Sequence, residues 1–248
     1  MFTHSDISKR IENLATLKKY NENMYKLTQH KKSVLEKGFE LGRKRIVGVN
    51  TEKLDNNISR AKAKVKEYGL CNDFEYFVTL TINSKKYDRE DLKKYYKDLG
   101  EFLRNYKKNH GSKIEYVLIP ELHEDKKSWH MHGLIKGILP KHLTKNKYGY
   151  LDWDQYSKKF GYMSIDKIKD KDKVCSYITK YINKSMKETI KGLNAHMYYN
   201  SNGLNTAVEI KRGTLSRHSI PTTYDYENDY IQSKIYKNPH EANSLIFN

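Results

Sequence analysis

Cysteine is scarce: the 248 residues hold two, Cys71 and Cys175, with no C-x-x-C pair. A multi-bridge disulfide framework is thereby excluded. No run of 18 apolar residues occurs, and the opening MFTHSDISKR lacks the apolar h-region of a signal peptide. A soluble intracellular protein is the expectation. The phosphate-cradling pattern G-x-x-x-x-G-K-[ST] is missing, so the chain carries no recognisable ATPase or helicase of its own. Acidic charge is the minority, with 30 Asp and Glu against 47 Lys and Arg, which gives a net charge of +17. About half of that excess falls in the first 72 residues, so the charge is spread along the chain and is not a basic tail. A polyanion partner fits this pattern, nucleic acid ahead of a membrane surface. A composition leaning toward Lys, Asn, Ile and Tyr accounts for part of the lysine.

What is present is a mixture of helical and strand signals. Ile7, Ile11, Leu14, Leu17, Met24 and Leu27 recur at helical spacing, which predicts a long amphipathic helix over residues 5–37. The basic stretch LGRKRIVG interrupts it, and a second helix is expected over about 51–68. Residues 1–70 therefore read as a basic helical extension. Strands are expected at 74–83 (FEYFVTLTIN), 115–122 (EYVLIPEL), 129–135 (WHMHGLI) and 161–168 (GYMSIDKI), and helices at 89–108 and 173–188. HMYYNS and AVEIKR are candidates for one further strand. Without strict β-α alternation the class is α+β around an antiparallel sheet. The expected divisions are 1–70, a central domain over 71–215, and a C-terminal segment over 216–248 of unassigned fold.

Two patterns carry chemistry. Successive side chains on a strand point to opposite faces, so His130 and His132 share one face. Pairing the strands on either side of the turn HEDKKS with Glu121 opposite His130 places Ile119 opposite His132 and Val117 opposite Leu134. Glu121, His130 and His132 then converge above an apolar base. One carboxylate and two imidazoles suit a divalent cation such as Mg²⁺ or Mn²⁺, and could also hold Zn²⁺. An H-x-H alone is also compatible with a merely polar strand face. His123, in the turn, is a reserve ligand. In SYITKYINKS, Val174, Ile178 and Ile182 form a packing stripe, while Tyr177, Lys180, Tyr181 and Lys184 form another beside it. A tyrosine hydroxyl needs a nearby cation to act as a nucleophile, and a lysine one turn away supplies one. A solvated helix face is the plainer alternative in a chain with 21 tyrosines.

FVTLTIN, then HMHGLI preceded by a glutamate, then YITKYINK occur in that order. This arrangement resembles the HUH endonucleases, specifically rolling-circle replication initiators of single-stranded DNA phages and related plasmids, in the two-tyrosine subgroup. The resemblance covers roughly residues 56–210. It implies a central five-stranded antiparallel sheet flanked by helices, with metal ligands Glu121, His130 and His132 and catalytic residues Tyr177, Tyr181, Lys180 and Lys184. It further implies nicking and rejoining of origin DNA through a 5′-phosphotyrosyl intermediate, in the cytoplasm of a bacterial host. The partners would be single-stranded and duplex origin DNA, with strand separation left to a separate helicase. Thr79 and Thr81 of the first strand, and Arg43, Lys44 and Arg45 of the basic stretch, are assigned to DNA contact; a solvated face is the alternative for the last three. A plasmid relaxase or mobilisation protein, a transposase with the same chemistry, and a non-catalytic DNA-binding module are the competing readings.

Overall fold

The computed structural model describes residues 10–35, 51–147, 149–184 and 196–248. The basic stretch with Arg43, Lys44 and Arg45 lies outside them. In chain order the elements are β1 (Arg10–Ile11), β2 (Leu14–Asn21), β3 (Met24–His30), β4 (Val34–Leu35), α1 (Thr51–Cys71), β5 (Tyr76–Thr81), α2 (Leu92–His110), β6 (Glu115–Leu122), β7 (Trp129–Lys136), β8 (Leu143–Lys145), β9 (Leu151–Trp153), α3 (Asp154–Lys159), β10 (Met163–Lys167), α4 (Lys171–Ile178), α5 (Tyr181–Lys184), β11 (Tyr199–Asn200), β12 (Val208–Thr214), β13 (Tyr226–Glu227), β14 (Ile231–Tyr236) and α6 (Pro239–Ser244). They form two compact units, 49–205 and 1–48 together with 206–248. The class is α+β with two large antiparallel sheets.

The 49–205 unit is built on a seven-stranded sheet in the order β11-β6-β7-β5-β10-β9-β8. The five strands expected of the sheet are joined by the short β8–β9 hairpin, which adds to the β10 edge around Gly149 at φ 84°. One sheet face carries Val78, Leu80, Leu118, Met131, Ile135, Met163 and Ile165, which pack against Leu92, Tyr95, Leu99, Leu103 and Tyr106 of α2. That helix has firm ends. The Asp91 side chain accepts from the Lys94 N–H at 2.9 Å, and Gly111 terminates it in the left-handed region at φ 61°. The other face carries Val117, Ile119 and Leu134, fully buried, beneath α1, α4 and α5.

Gly133 marks the tightest approach within this sheet. A Cβ there would sit 2.3 Å from Leu118 Cδ2 and 2.5 Å from the Val117 carbonyl oxygen. Gly133→Ala should therefore push β6 and β7 apart and destabilise the unit by about 1–3 kcal/mol, the usual cost of overpacking. Urea unfolding measures it, and a midpoint equal to wild type would contradict the packing described.

The other unit corrects the N-terminal expectation. Residues 14–30 are not helical: β2 and β3 form a hairpin, closed around Asn21 to Asn23, where the Asn23 N–H donates to Asn21 Oδ1 at 3.0 Å. They are the inner strands of a five-stranded sheet in the order β12-β2-β3-β14-β13. Strand β12, from AVEIKR, belongs to this sheet and not to the central one. Leu17 pairs with Leu27, and with Ala15, Tyr25 and Tyr236 they pack against Ala242 and Leu245. The residues beyond 216, left unassigned from sequence, supply β13, β14 and α6. The helix expected at 51–68 is present as α1, within the central unit.

Candidate metal and tyrosine site

The site begins with register. Glu121 pairs with His130, Ile119 with His132 and Val117 with Leu134, as alternation and turn length predict. The turn is fixed by Asp125, which accepts from the backbone N–H groups of Lys127 and Ser128 at 2.9 and 2.8 Å and from the Ser128 hydroxyl. These bonds, the hydroxyl first, hold its carboxyl well below the usual carboxylate range. The result is a cluster in which Glu121 Oε2 accepts from Nε2 of His130 at 2.8 Å and from Nε2 of His132 at 2.7 Å.

Among the described residues, these three side chains form the group able to share a metal ion, with ligand atoms all within 4.8 Å of one another. The donor chemistry fits a divalent cation: one anionic oxygen, two imidazole nitrogens aimed at the same point, and partial burial of all three. Burial, and then the neighbouring His130, lower the His132 pKa to about 4, so its ring is neutral near pH 7, the form a ligand requires. The reserve ligand His123 is exposed, its ring centroid 5.6 Å from that of His130.

Strand β5 supports the cluster from the other side. Thr79 pairs with His132 and Thr81 with His130. Thr79 Oγ1 lies 3.1 Å from His132 Nδ1. With Nε2 given to a metal, Nδ1 must carry the ring proton and donate it to Thr79, which fixes the tautomer and the ring plane. Thr79 thus stands in the ligand support, a place its sequence pattern did not suggest. Thr79→Val keeps the shape and removes the acceptor, so metal affinity should fall by roughly 10–100-fold. Manganese titration against a denaturation midpoint reads this, and unchanged affinity would remove Thr79 from the site.

The tyrosines lie against this cluster. The expected continuous helix over 173–188 is broken after Ile178, where Thr179 Oγ1 donates to the Ser176 carbonyl at 2.8 Å and two turn residues precede α5. Ile178 and Ile182 are fully buried and seat both pieces on the sheet. The Tyr181 ring stacks on His132 with centroids 3.7 Å apart and an 11° interplanar angle. Its hydroxyl donates to the Tyr177 hydroxyl at 3.0 Å. Burial, then that bond, raise the Tyr181 pKa well above the ordinary phenol value. Tyr177 is 46% exposed, and Lys180 Nζ lies 5.2 Å from its ring centroid. The Lys184 side chain lies outside the described residues. Phe77 was not singled out from sequence, yet its ring meets His132, Tyr177 and Tyr181 at centroid distances of 6.2, 5.8 and 6.5 Å. The alternation Phe77, Thr79, Thr81 was the available signal, since it puts all three on the histidine face.

Residues 75–186 match the family described as replication-associated protein, of the ORF2 and gene-II-protein type. The match spans somewhat less than half of the chain and covers the metal cluster and both tyrosines. It is consistent with a Rep-type replication protein, suggests a role in initiating replication and implies DNA binding. No curated protein and no solved structure matches the chain. No helix among the described residues is long and apolar enough to cross a membrane.

Proposed function

We propose that the chain is a rolling-circle replication initiator of the HUH two-tyrosine type, which nicks and rejoins origin DNA with Mg²⁺ or Mn²⁺. The observation that carries this reading is the tyrosine pair docked on the Glu-His-His face, Tyr181 stacked on His132 and bonded to Tyr177. A divalent cation held by Glu121, His130 and His132 would supply Lewis-acid charge to the scissile phosphate. A tyrosine oxygen then attacks phosphorus, a P–O(tyrosine) bond forms and the P–O3′ bond breaks. The phenolic proton leaves to solvent and the departing 3′ oxygen takes one up. The products are a 5′-phosphotyrosyl protein and a free 3′-OH that primes synthesis. The phosphodiester energy is kept in the adduct, so rejoining is the reverse attack and needs no ATP. Lys180, beside Tyr177, offsets negative charge as the phenolate forms. Strand separation falls to a separate helicase, and Arg43, Lys44 and Arg45 contribute duplex contacts.

The test is incubation with origin-containing single-stranded DNA and Mn²⁺, followed by denaturing electrophoresis. A protein–DNA species that survives denaturation, and disappears with EDTA added beforehand, is the expected result. Salt-dependent binding with no such species would leave a DNA-binding module in place of the nuclease.

A further inference from the structure

A second recess lies on the opposite face of the seven-stranded sheet from the metal cluster. It is a cleft of about 290 Å³ between α2, the start of β6 and the β11 edge. Tyr96 and Tyr116 contribute aromatic walls, and the Tyr96 ring is itself held by stacking on Tyr199 at 3.6 Å. Arg104 and Lys107, one helical turn apart on α2, stand exposed at the rim. Among the described residues neither has an ion pair or a hydrogen bond, so both charges are available to a ligand. Gly100 keeps the cleft open, because a Cβ there would lie 3.3 Å from the Arg104 guanidinium. Glu115 brings a carboxylate already neutralised by Lys136 at 2.9 Å, which retains acceptor capacity without repelling an anion.

Two free cations, two aromatic rings and a shielded acceptor are the complement of a phosphate, a base face and a base edge. We infer that this cleft binds one nucleotide, its phosphate on Arg104 and Lys107 and its base against Tyr96 and Tyr116. The volume lies at the lower bound of small-molecule clefts, about 300 Å³, which admits a single nucleotide and not a dinucleotide cofactor. The nucleotide comes either from a single strand passing round the β11 edge or from a free nucleoside monophosphate. A strand that fills both this cleft and the metal cluster runs from the Glu115 end of β6 to the Glu121 end, roughly 20 Å. It would be held on both faces of the sheet, so its grip would not depend on the metal site alone.

Binding to the full-length protein in EDTA tests this without any cleavage, so its outcome is independent of the tyrosine chemistry. The probes are a long labelled oligothymidylate, read by anisotropy, and 5′-dTMP, read by calorimetry. Arg104→Gln with Lys107→Gln is compared with Lys93→Gln with Lys97→Gln, which removes the same charge from exposed positions of α2 outside the cleft. For the long strand, the cleft variant should lower the log–log salt slope by about 0.7 for each phosphate that no longer meets a cation. Affinity should fall about tenfold in the cleft variant and much less in the control. A fall confined to the long strand identifies the ligand as single-stranded DNA. A fall in 5′-dTMP binding as well identifies a free-nucleotide site. An equal fall in the two variants, or none in the cleft variant, overturns the assignment.

Discussion

Replacing His130 or His132 by alanine should reduce nicking of a single-stranded origin by more than about 10²-fold and leave DNA binding largely intact. A metal's stabilisation of transition-state charge is worth several kcal/mol, and each 1.36 kcal/mol is about tenfold in rate. Glu121 Oε2 is bonded to both rings at 2.8 and 2.7 Å, so removing either leaves an incomplete ligand set. Binding survives because it rests on phosphate contacts distributed over a chain of net charge +17. His132 lies beneath Tyr181, and its removal also opens a gap under that ring. His130, less buried and not stacked on a tyrosine, is the cleaner variant. A His130→Ala protein that nicks at the wild-type rate in Mn²⁺ would remove the metal assignment.

The same cluster makes stability depend on pH. His132 has a folded pKa of about 4 against an ordinary 6.5, so between those values the unfolded chain binds more protons. Stability contributed by the neutral ring is present above about pH 6.5 and is lost as pH falls toward 4.

The readable parts of this fold were those in which local pattern and pairing coincide. The β6–β7 register followed from alternation and a six-residue turn, and it brought Glu121, His130 and His132 together as expected. Helix α2 announced itself through its apolar spacing and lies close to its expected bounds. The N-terminal hairpin was not readable because Leu14, Leu17, Met24 and Leu27 satisfy a helical spacing while also filling a sheet. What decides between the two lies far off in sequence: Gln29 bonds Gln232, 203 residues away, and β3 gains its outer partner β14 only from the C-terminus. The clue that was present is punctuation, with Asn13 at positive φ and Asn21 to Asn23 in the next turn. The break after Ile178 was hidden for a related reason. Thr179 fits a helical wheel, but its hydroxyl competes for the Ser176 carbonyl, and no periodicity reports that.

Tyr177→Phe and Tyr181→Phe should each still form a covalent adduct on a short single-stranded origin, Tyr177→Phe the more slowly, while the double variant forms none. The order follows from the bond between them. Tyr181 donates its proton to the Tyr177 oxygen, and a hydrogen bond received by an oxygen favours its charged form. Tyr177 is also the more exposed, and Lys180 stands by its ring, whereas burial holds the Tyr181 phenol in its neutral form. Tyr177 is therefore placed to make the first cut. Tyr181→Phe removes one hydrogen bond, a cost of about 1.5–3 kcal/mol for a bond to a charged group, or roughly 10–100-fold if the bond persists in the transition state. Tyr177→Phe shifts the first attack to a phenol that must ionise without a donor and against burial, so its rate should fall further. Rolling-circle synthesis needs a second transesterification once the origin is regenerated, when the first tyrosine is still esterified. Tyr181, one turn away and stacked on a ligand histidine, can serve there. Peptide mapping of the wild-type adduct after one turnover should place the phosphodiester on Tyr177, and release of circular product should fail in Tyr181→Phe. If Tyr181→Phe releases circles at the wild-type rate, Tyr181 is a packing residue and a single tyrosine performs both steps.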